Sequence, residues 1–218
     1  LKCLNNGKQI NAFYKQHTQY LIYLISLLSN NRKLNVLDYG GGWGIGYANV
    51  LESLNSSLIK KIDYTIYDLE NLCDVGKNFF SKEIVDNKNL YYIHKLKDLS
   101  NKKYDIIFLG ASLQYSEDFK ETLININKMN AKYILMIDIY AGDIPSFCTL
   151  QKYYNYKMPH WFINYDEINN IFKKKYKLIN KSYAHTLRLN NLGLIEMKNF
   201  KKKFRIQNSL NLLYMKKR

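Results

Sequence analysis

The chain has 218 residues, 47% of them hydrophobic and 15% aromatic, with a formal net charge of +15. That length suits one domain with a single large core, and the apolar fraction excludes a disordered chain. Three scattered cysteines, Cys3, Cys73 and Cys148, form no CxxC spacing, which argues for reduced thiols and against a disulfide frame or a metal site.

In chain order, residues 11–29 carry apolar side chains at helical spacing, and the run stops at Asn30 and Asn31. The apolar stretch within it, QYLIYLISLL, is half the ~20 residues a membrane span needs. No basic-then-apolar leader opens the chain, so a soluble, cytoplasmic protein, monomer or homodimer, is expected. Strands are predicted at 34–39, 62–69, 89–94, 104–110 and 131–138. Helices are predicted at 45–54, through 74–80, and at 117–129. The strands YDIIFLG and AKYILMID are nearly continuous apolar runs, as expected where both faces of a sheet are covered. Residues 140–165, with both prolines (Pro145 and Pro159), break the rhythm and read as irregular. A helix at 165–176 follows, then strands at 176–184 and 209–217 that form an antiparallel final pair. The alternation predicts a doubly wound α/β fold. One domain is expected, divided into a helical cap (1–33), a cofactor-binding core (34–138) and an acceptor-side segment with the final strands (139–218).

Five of the ten glycines fall between positions 40 and 46, in VLDYGGGWGIG. A strand that runs into such a turn and then a helix makes a nucleoside or phosphate pocket. A dinucleotide fingerprint needs glycines at i, i+2 and i+5, but those places end on Ile45 or Tyr47. The Gly-Lys-Ser/Thr ending of a P-loop is absent. The arrangement Asp38-x-Gly40-x-Gly42-x-Gly44 resembles motif I of the class I S-adenosylmethionine (SAM) methyltransferases, whose glycines pack under the methionyl and ribose moieties. Gly41 and Gly46 have no place in that motif. Asp68, which ends the second strand, is spaced from the glycines as a ribose-binding acid is, because a carboxylate accepts from both ribose hydroxyls. It is the candidate ribose acceptor with its neighbour Leu69, and a helix N-cap is its other reading.

The blocks LDYGGGWGIGY, IYDLENLCDVGKNFF, IIFLGASLQYSED and SFCTLQKYY…MPHWF resemble a methyltransferase family encoded in bacterial surface-polysaccharide clusters. That family carries a DFGG…G turn, a ribose strand ending VVE, a GSLQYLED block and a later Q…YP block. Here Asp68 stands for the glutamate, and Lys157-Met158-Pro159-His160 stands where a Tyr-Pro pair is usual. The resemblance runs from about residue 34 to 170. It implies a Rossmann-like class I methyltransferase fold with a mostly parallel seven-stranded sheet, an antiparallel final strand and helices on both faces. It implies SAM as cofactor.

Gly110, Ser112 and Gln114 follow a central strand, where ligands lie in such folds, and offer room, a hydroxyl and an amide. Asp98 is the candidate partner of the adenine amino group. Methyl transfer from a sulfonium depends mainly on alignment, with a general base assisting a hydroxyl acceptor. His160 and Asp138 are the candidate bases, with Asp143 as an alternative. His17 reads as a surface residue, and His94 as a strand end that packs or meets a backbone group. His185 is the fourth histidine of the chain.

The expected function is methylation of an oxygen or nitrogen on a small acceptor, a sugar, nucleotide sugar or phosphorylated polysaccharide precursor. An RNA methyltransferase is the alternative that the charge raises. Nucleic acid is disfavoured, because the one dense basic cluster, KNFKKKF at 198–204 with the terminal MKKR, reads as a solvated loop and tail. A non-catalytic module that retains the fold is the third reading.

Overall fold

The computed structural model describes residues 12–29, 32–83, 89–99, 102–153, 155–184 and 194–218. Cys3, Asn30, Asn31 and His185 lie outside them. The chain divides into two compact units, one up to Gly110 and one from Ala111. That boundary falls inside the span expected to form the cofactor-binding core.

The first unit contains α1 (Ala12–Leu28), β1 (Leu34–Tyr39), α2 (Ile45–Ser53), α3 (Ser56–Ile59) and β2 (Ile62–Tyr67). It continues with α4 (Glu70–Glu83), β3 (Leu90–Ile93), α5 (Leu96–Leu99) and β4 (Ile106–Gly110). β1 pairs in parallel with β2 from Leu34↔Ile62 to Tyr39↔Tyr67, and with β4 on its other side. β3 extends the ladder beyond β2. Val36, Leu37, Ile106 and Ile107 are all fully buried. Consecutive buried residues mean that both strand faces are covered, and each such side chain contributes about 1.5–3 kcal/mol. At the strand entrances Asp105 accepts from Arg32 Nη1 (2.7 Å) and from the Asn35 N–H (3.0 Å). α1 is joined to α2 through the buried bond from Asn49 Nδ2 to Thr18 Oγ1, 3.0 Å. His17, beside Thr18, is 7% exposed and not a surface residue. The apolar stripe of α1 is wide enough to take its polar neighbours inward.

The second unit holds a 3-10 turn (Leu113–Tyr115), α6 (Phe119–Met129), β5 (Tyr133–Ile139), β6 (Ala141–Gly142) and β7 (Phe147–Tyr153). Then come β8 (Tyr156–Asn164), α7 (Tyr165–Phe172), β9 (Tyr176–Tyr183) and β10 (Leu210–Lys216). Asp118 and Asn164 cap α6 and α7, each accepting from two backbone N–H groups of the first turn. The strand order is β3-β2-β1-β4 in the first unit and β5-β10-β9 in this one. β10 is antiparallel to both β5 and β9, as expected of the final strand.

Residues 140–165 are not irregular. β7 and β8 form a hairpin with register Phe147↔Phe162 to Tyr153↔Tyr156, and β6 completes a three-stranded sheet, β6-β8-β7. Polar residues on both faces hide the period-two pattern. Pro159 is tolerated because β6 reaches only Ile163 and Asn164, leaving β8 paired on one side at the proline. α4 begins at Glu70, four residues before the expected start, and the segment carrying Asp98, read as a loop, is the one-turn helix α5. Among the described residues no helix is long and apolar enough to cross a membrane, and no cluster of His, Cys, Asp or Glu could hold a metal.

Candidate functional site

In the first unit, the turn after β1 is built around one buried carboxylate. Asp38 is 2% exposed, and its Oδ2 accepts the Tyr64 hydroxyl at 2.7 Å. Burial, with a smaller push from the Asp68 charge, raises its pKa to about 7, while the Tyr64 bond pulls the other way. A Cβ on Gly41 would lie 2.7 Å from Asp38 Cγ, and one on Gly46 would lie 2.6 Å from Asp38 Oδ2. These two glycines, outside the motif, therefore clear space for the acid itself.

The three motif glycines all take positive φ: Gly40 at 75°, Gly42 at 59° and Gly44 at 109°. Only glycine visits that region without strain. A Cβ on Gly44 would strike Ile66 and Phe80 at 2.9 Å, so Gly44 sits tight against the core. A Cβ on Gly42 would meet nothing within 4 Å. Gly42 is thus the place where the turn borders open space.

Asp68, one residue past β2, reaches back to this turn. Its Oδ2 accepts the Gly42 N–H at 2.7 Å, and its Oδ1 accepts the Leu69 N–H at 2.7 Å. Those bonds tie the end of β2 to the glycine turn, and neither donor lies within α4, so the N-cap reading has no bond to support it. Leu69 is 68% exposed. Asp98 is exposed on α5, apart from the bonds that join Asp38, Asp68 and the glycines. His94 Nε2 lies 3.5 Å from Glu70 Oε1, a side-chain partner where packing or a backbone group was expected. A Cβ on Gly110 would be 2.7 Å from the Phe108 ring, so this glycine makes room for an aromatic of its own strand.

In the second unit, Ala111 and Asp138 both adopt left-handed backbone, φ 54° and 56°. Such conformations in residues with a Cβ store strain of roughly 1–3 kcal/mol and cluster at ligand sites. Gln114 is 1% exposed; its Nε2 donates to the Asp138 carbonyl at 3.3 Å, and its Oε1 has no partner. The carbonyl fixes which end of the amide carries nitrogen, so the unpartnered atom is an acceptor. Asp138 is 3% exposed, its Oδ1 accepts the Ser209 hydroxyl, and its N–H donates to Asn211 Oδ1 at 3.1 Å. Ser112 is half-buried beside this turn.

His160 is 5% exposed on β8 and stands edge-on to Tyr140 (4.6 Å) and Tyr115 (5.2 Å). Trp161 Nε1 donates to the Ser116 carbonyl at 3.0 Å, joining β8 to the SLQYS segment. The structure therefore brings His160 to the turn that carries Gln114, and ties Gln114 to Asp138. Sequence reasoning missed Tyr64, Tyr140, Ser209 and Asn211. Tyr64 was findable as a polar tip in a buried strand, whereas Ser209 and Asn211 carry no spacing signal.

No family model matches the chain. One curated protein, the non-reducing polyketide synthase mapC of Penicillium roqueforti, is 27% identical over 115 residues, 51% of this chain and 5% of that protein. The chain thus spans a small part of that relative. Among solved structures, the magnesium protoporphyrin IX methyltransferase of Synechocystis PCC 6803 with bound S-adenosylhomocysteine matches with TM-score 0.60 and 12% identity, over 96% of this chain and 86% of that one. The 1,6-didemethyltoxoflavin-N1-methyltransferase of Burkholderia thailandensis, crystallised with bound 1,6-didemethyltoxoflavin and S-adenosylhomocysteine, matches with TM-score 0.59 and 11% identity, over 93% and 79%. A SAM-dependent methyltransferase of Clostridium acetobutylicum gives 0.56 and 15%, over 93% and 91%. These likenesses establish the fold: a class I SAM-dependent methyltransferase fold.

Proposed function

We propose that the chain is a SAM-dependent methyltransferase acting on an oxygen or nitrogen of a small acceptor. The observation that carries this reading is the turn at Gly42. Its N–H is held by the Asp68 carboxylate at 2.7 Å, and a Cβ there would enter open space. Each Asp68 oxygen keeps a lone pair for a ribose hydroxyl after accepting one backbone N–H. The residues present fit the cofactor. When bound, SAM supplies a methyl group already activated on sulfur. The chain's own part is to orient: Asp68 and Leu69 hold the nucleoside, and the glycines admit it. Gln114 offers its unpartnered acceptor to a donor group of the ligands.

His160 or Asp138 takes a proton from the acceptor in this reading, and a phosphorylated sugar or polysaccharide precursor is the acceptor class we favour. The likeness to a polyketide synthase segment favours a second acceptor class, a polyketide chain. Transfer of a labelled methyl group from SAM to nucleotide sugars, to acyl thioesters and to RNA separates the acceptors. The account expects label in the sugars. Label in RNA alone would overturn it. Asp68→Ala should weaken S-adenosylhomocysteine binding by about 2–4 kcal/mol, because hydrogen bonds to a charged group contribute ~1.5–3 kcal/mol each. Unchanged affinity would remove Asp68 from the ribose role.

A further inference from the structure

The positive charge is unevenly distributed. Residues 111–218 hold nineteen of the 33 Lys and Arg and eight of the 18 Asp and Glu, and so carry +11 of the net +15. Within this unit, one pole gathers an unusual share.

At that pole, β5 and β9 begin while α6, α7 and β10 end. The Lys216 N–H donates to the Lys132 carbonyl and the Lys217 N–H to that of Lys175, both at 2.9 Å. Lys217 Nζ donates to the Lys173 carbonyl at 2.7 Å, and Lys175 Nζ to that of Asn127 at 3.3 Å. Lys128 lies in the last turn of α6, Lys174 follows α7, and Lys177 pairs with Met215 at the start of β9. Eight lysines therefore converge, and segments 127–133, 172–178 and 214–217 contain no carboxylate side chain. The acids of both helices sit in their first turns, at the opposite ends: Glu121 in α6, Asp166 and Glu167 in α7. Lysines near a helix C-terminus ordinarily satisfy its last carbonyls. One or two per helix suffice for that, and Lys175 and Lys217 already do it here.

We propose that this lysine pole is a docking surface for an anionic lipid bilayer, separate from the methyl-transfer reading and independent of it. Three observations favour a bilayer over nucleic acid. The pole gathers eight lysines against one adjoining arginine, Arg218, so it offers few of the planar forks that read phosphates and bases. The three segments offer no exposed aromatic on which bases could stack, since Tyr176 and Tyr214 are at most 1% exposed and Tyr133 is half-buried. Instead Met215 and Ile179, 37% and 46% exposed, stand beside the lysines. Flexible ammonium groups bordering exposed aliphatic side chains suit a headgroup layer above acyl chains.

The test is co-sedimentation of the full chain with vesicles of phosphatidylcholine plus phosphatidylserine, against phosphatidylcholine alone. Binding should appear only with the anionic lipid and weaken as salt rises. The triple variant Lys128→Gln, Lys174→Gln, Lys177→Gln, with an unchanged melting curve, should bind at least about tenfold more weakly. A second triple, Lys201→Gln, Lys202→Gln, Lys203→Gln, should bind as the wild type does. Absent binding to the mixed vesicles, wild-type binding by the first triple, or loss in the second would each overturn the proposal. So would a duplex RNA that binds more tightly than the vesicles through the same three lysines.

Discussion

The glycine turn of the first unit and the Gln114–Asp138 region of the second are both buried polar sites, but they handle their polar groups differently. Around Asp38 the carboxylate has Tyr64 as a donor, and Gly41 and Gly46 stand back to make room for it. Its strained positions are glycines, where positive φ is cheap. In the second unit the left-handed positions carry side chains, at Ala111, at Asp138 and at Asn130 where α6 ends, and Gln114 keeps an acceptor with no partner. The turn has a donor for its buried acid, while the second region carries backbone strain and an unmet acceptor. A motif made of glycines is also easy to see in a sequence; a site made of strain is not.

Four substitutions sharpen or break that contrast. Gly46→Val should have the largest effect, about 3 kcal/mol of lost stability, because its Cβ would lie 2.6 Å from Asp38 Oδ2 and 3.0 Å from the Tyr64 hydroxyl. Chemical denaturation measures it, and a neutral result would mean that Asp38 is not held where described. Gly42→Ala should do the converse. The stability loss should be about 1 kcal/mol for the left-handed backbone, while S-adenosylhomocysteine affinity falls at least about 100-fold, or ~2.7 kcal/mol. Calorimetry on the folded variant separates the two.

Asp38→Asn tests the buried acid through pH. Its pKa is raised from 3.8 to about 7. Between those values the folded chain keeps a proton that the unfolded chain has lost. The contribution is therefore fully present below pH 3.8 and declines as pH rises through 7. Relative to Asp38→Asn, the wild type should lose melting temperature over that window and show no further change above it. A gap that widens in favour of the wild type as pH rises would contradict the assignment. The smallest expected effect on stability is that of Gln114→Leu. It removes one long hydrogen bond together with an unmatched acceptor, so the ligand-free chain should change by less than about 1 kcal/mol. Methyl transfer should fall, and full activity would mean that the acceptor is only a packing defect.

Much of the first unit was legible. LNVLDY, IDYTIY and IIFLG read as strands because apolar runs bounded by glycine or acid have few other folds available. Asp38, Gly40, Gly42, Gly44 and Asp68 converge on one turn, and the Asp68–Gly42 bond adds a link that spacing could not reveal. Less was legible in the second unit. The β7–β8 hairpin hid behind Pro159 and its polar faces, so His160 was placed in a loop when it stands on a strand among aromatic rings. Ser209 and Asn211 reach Asp138 only through the pairing of β10 with β5, a contact some 70 residues apart that no local pattern encodes. Asp98 stands exposed on α5 and Gly110 leaves room for Phe108, placements that spacing does not reveal.

The central claim is that the turn around Gly42 and Asp68 receives the nucleoside of SAM. Calorimetric titration of the full chain with S-adenosylhomocysteine tests it most directly. The account predicts saturable binding, lost in Gly42→Ala, with no binding of NADH. Absence of S-adenosylhomocysteine binding to the wild type, or binding of NADH in its place, would contradict it.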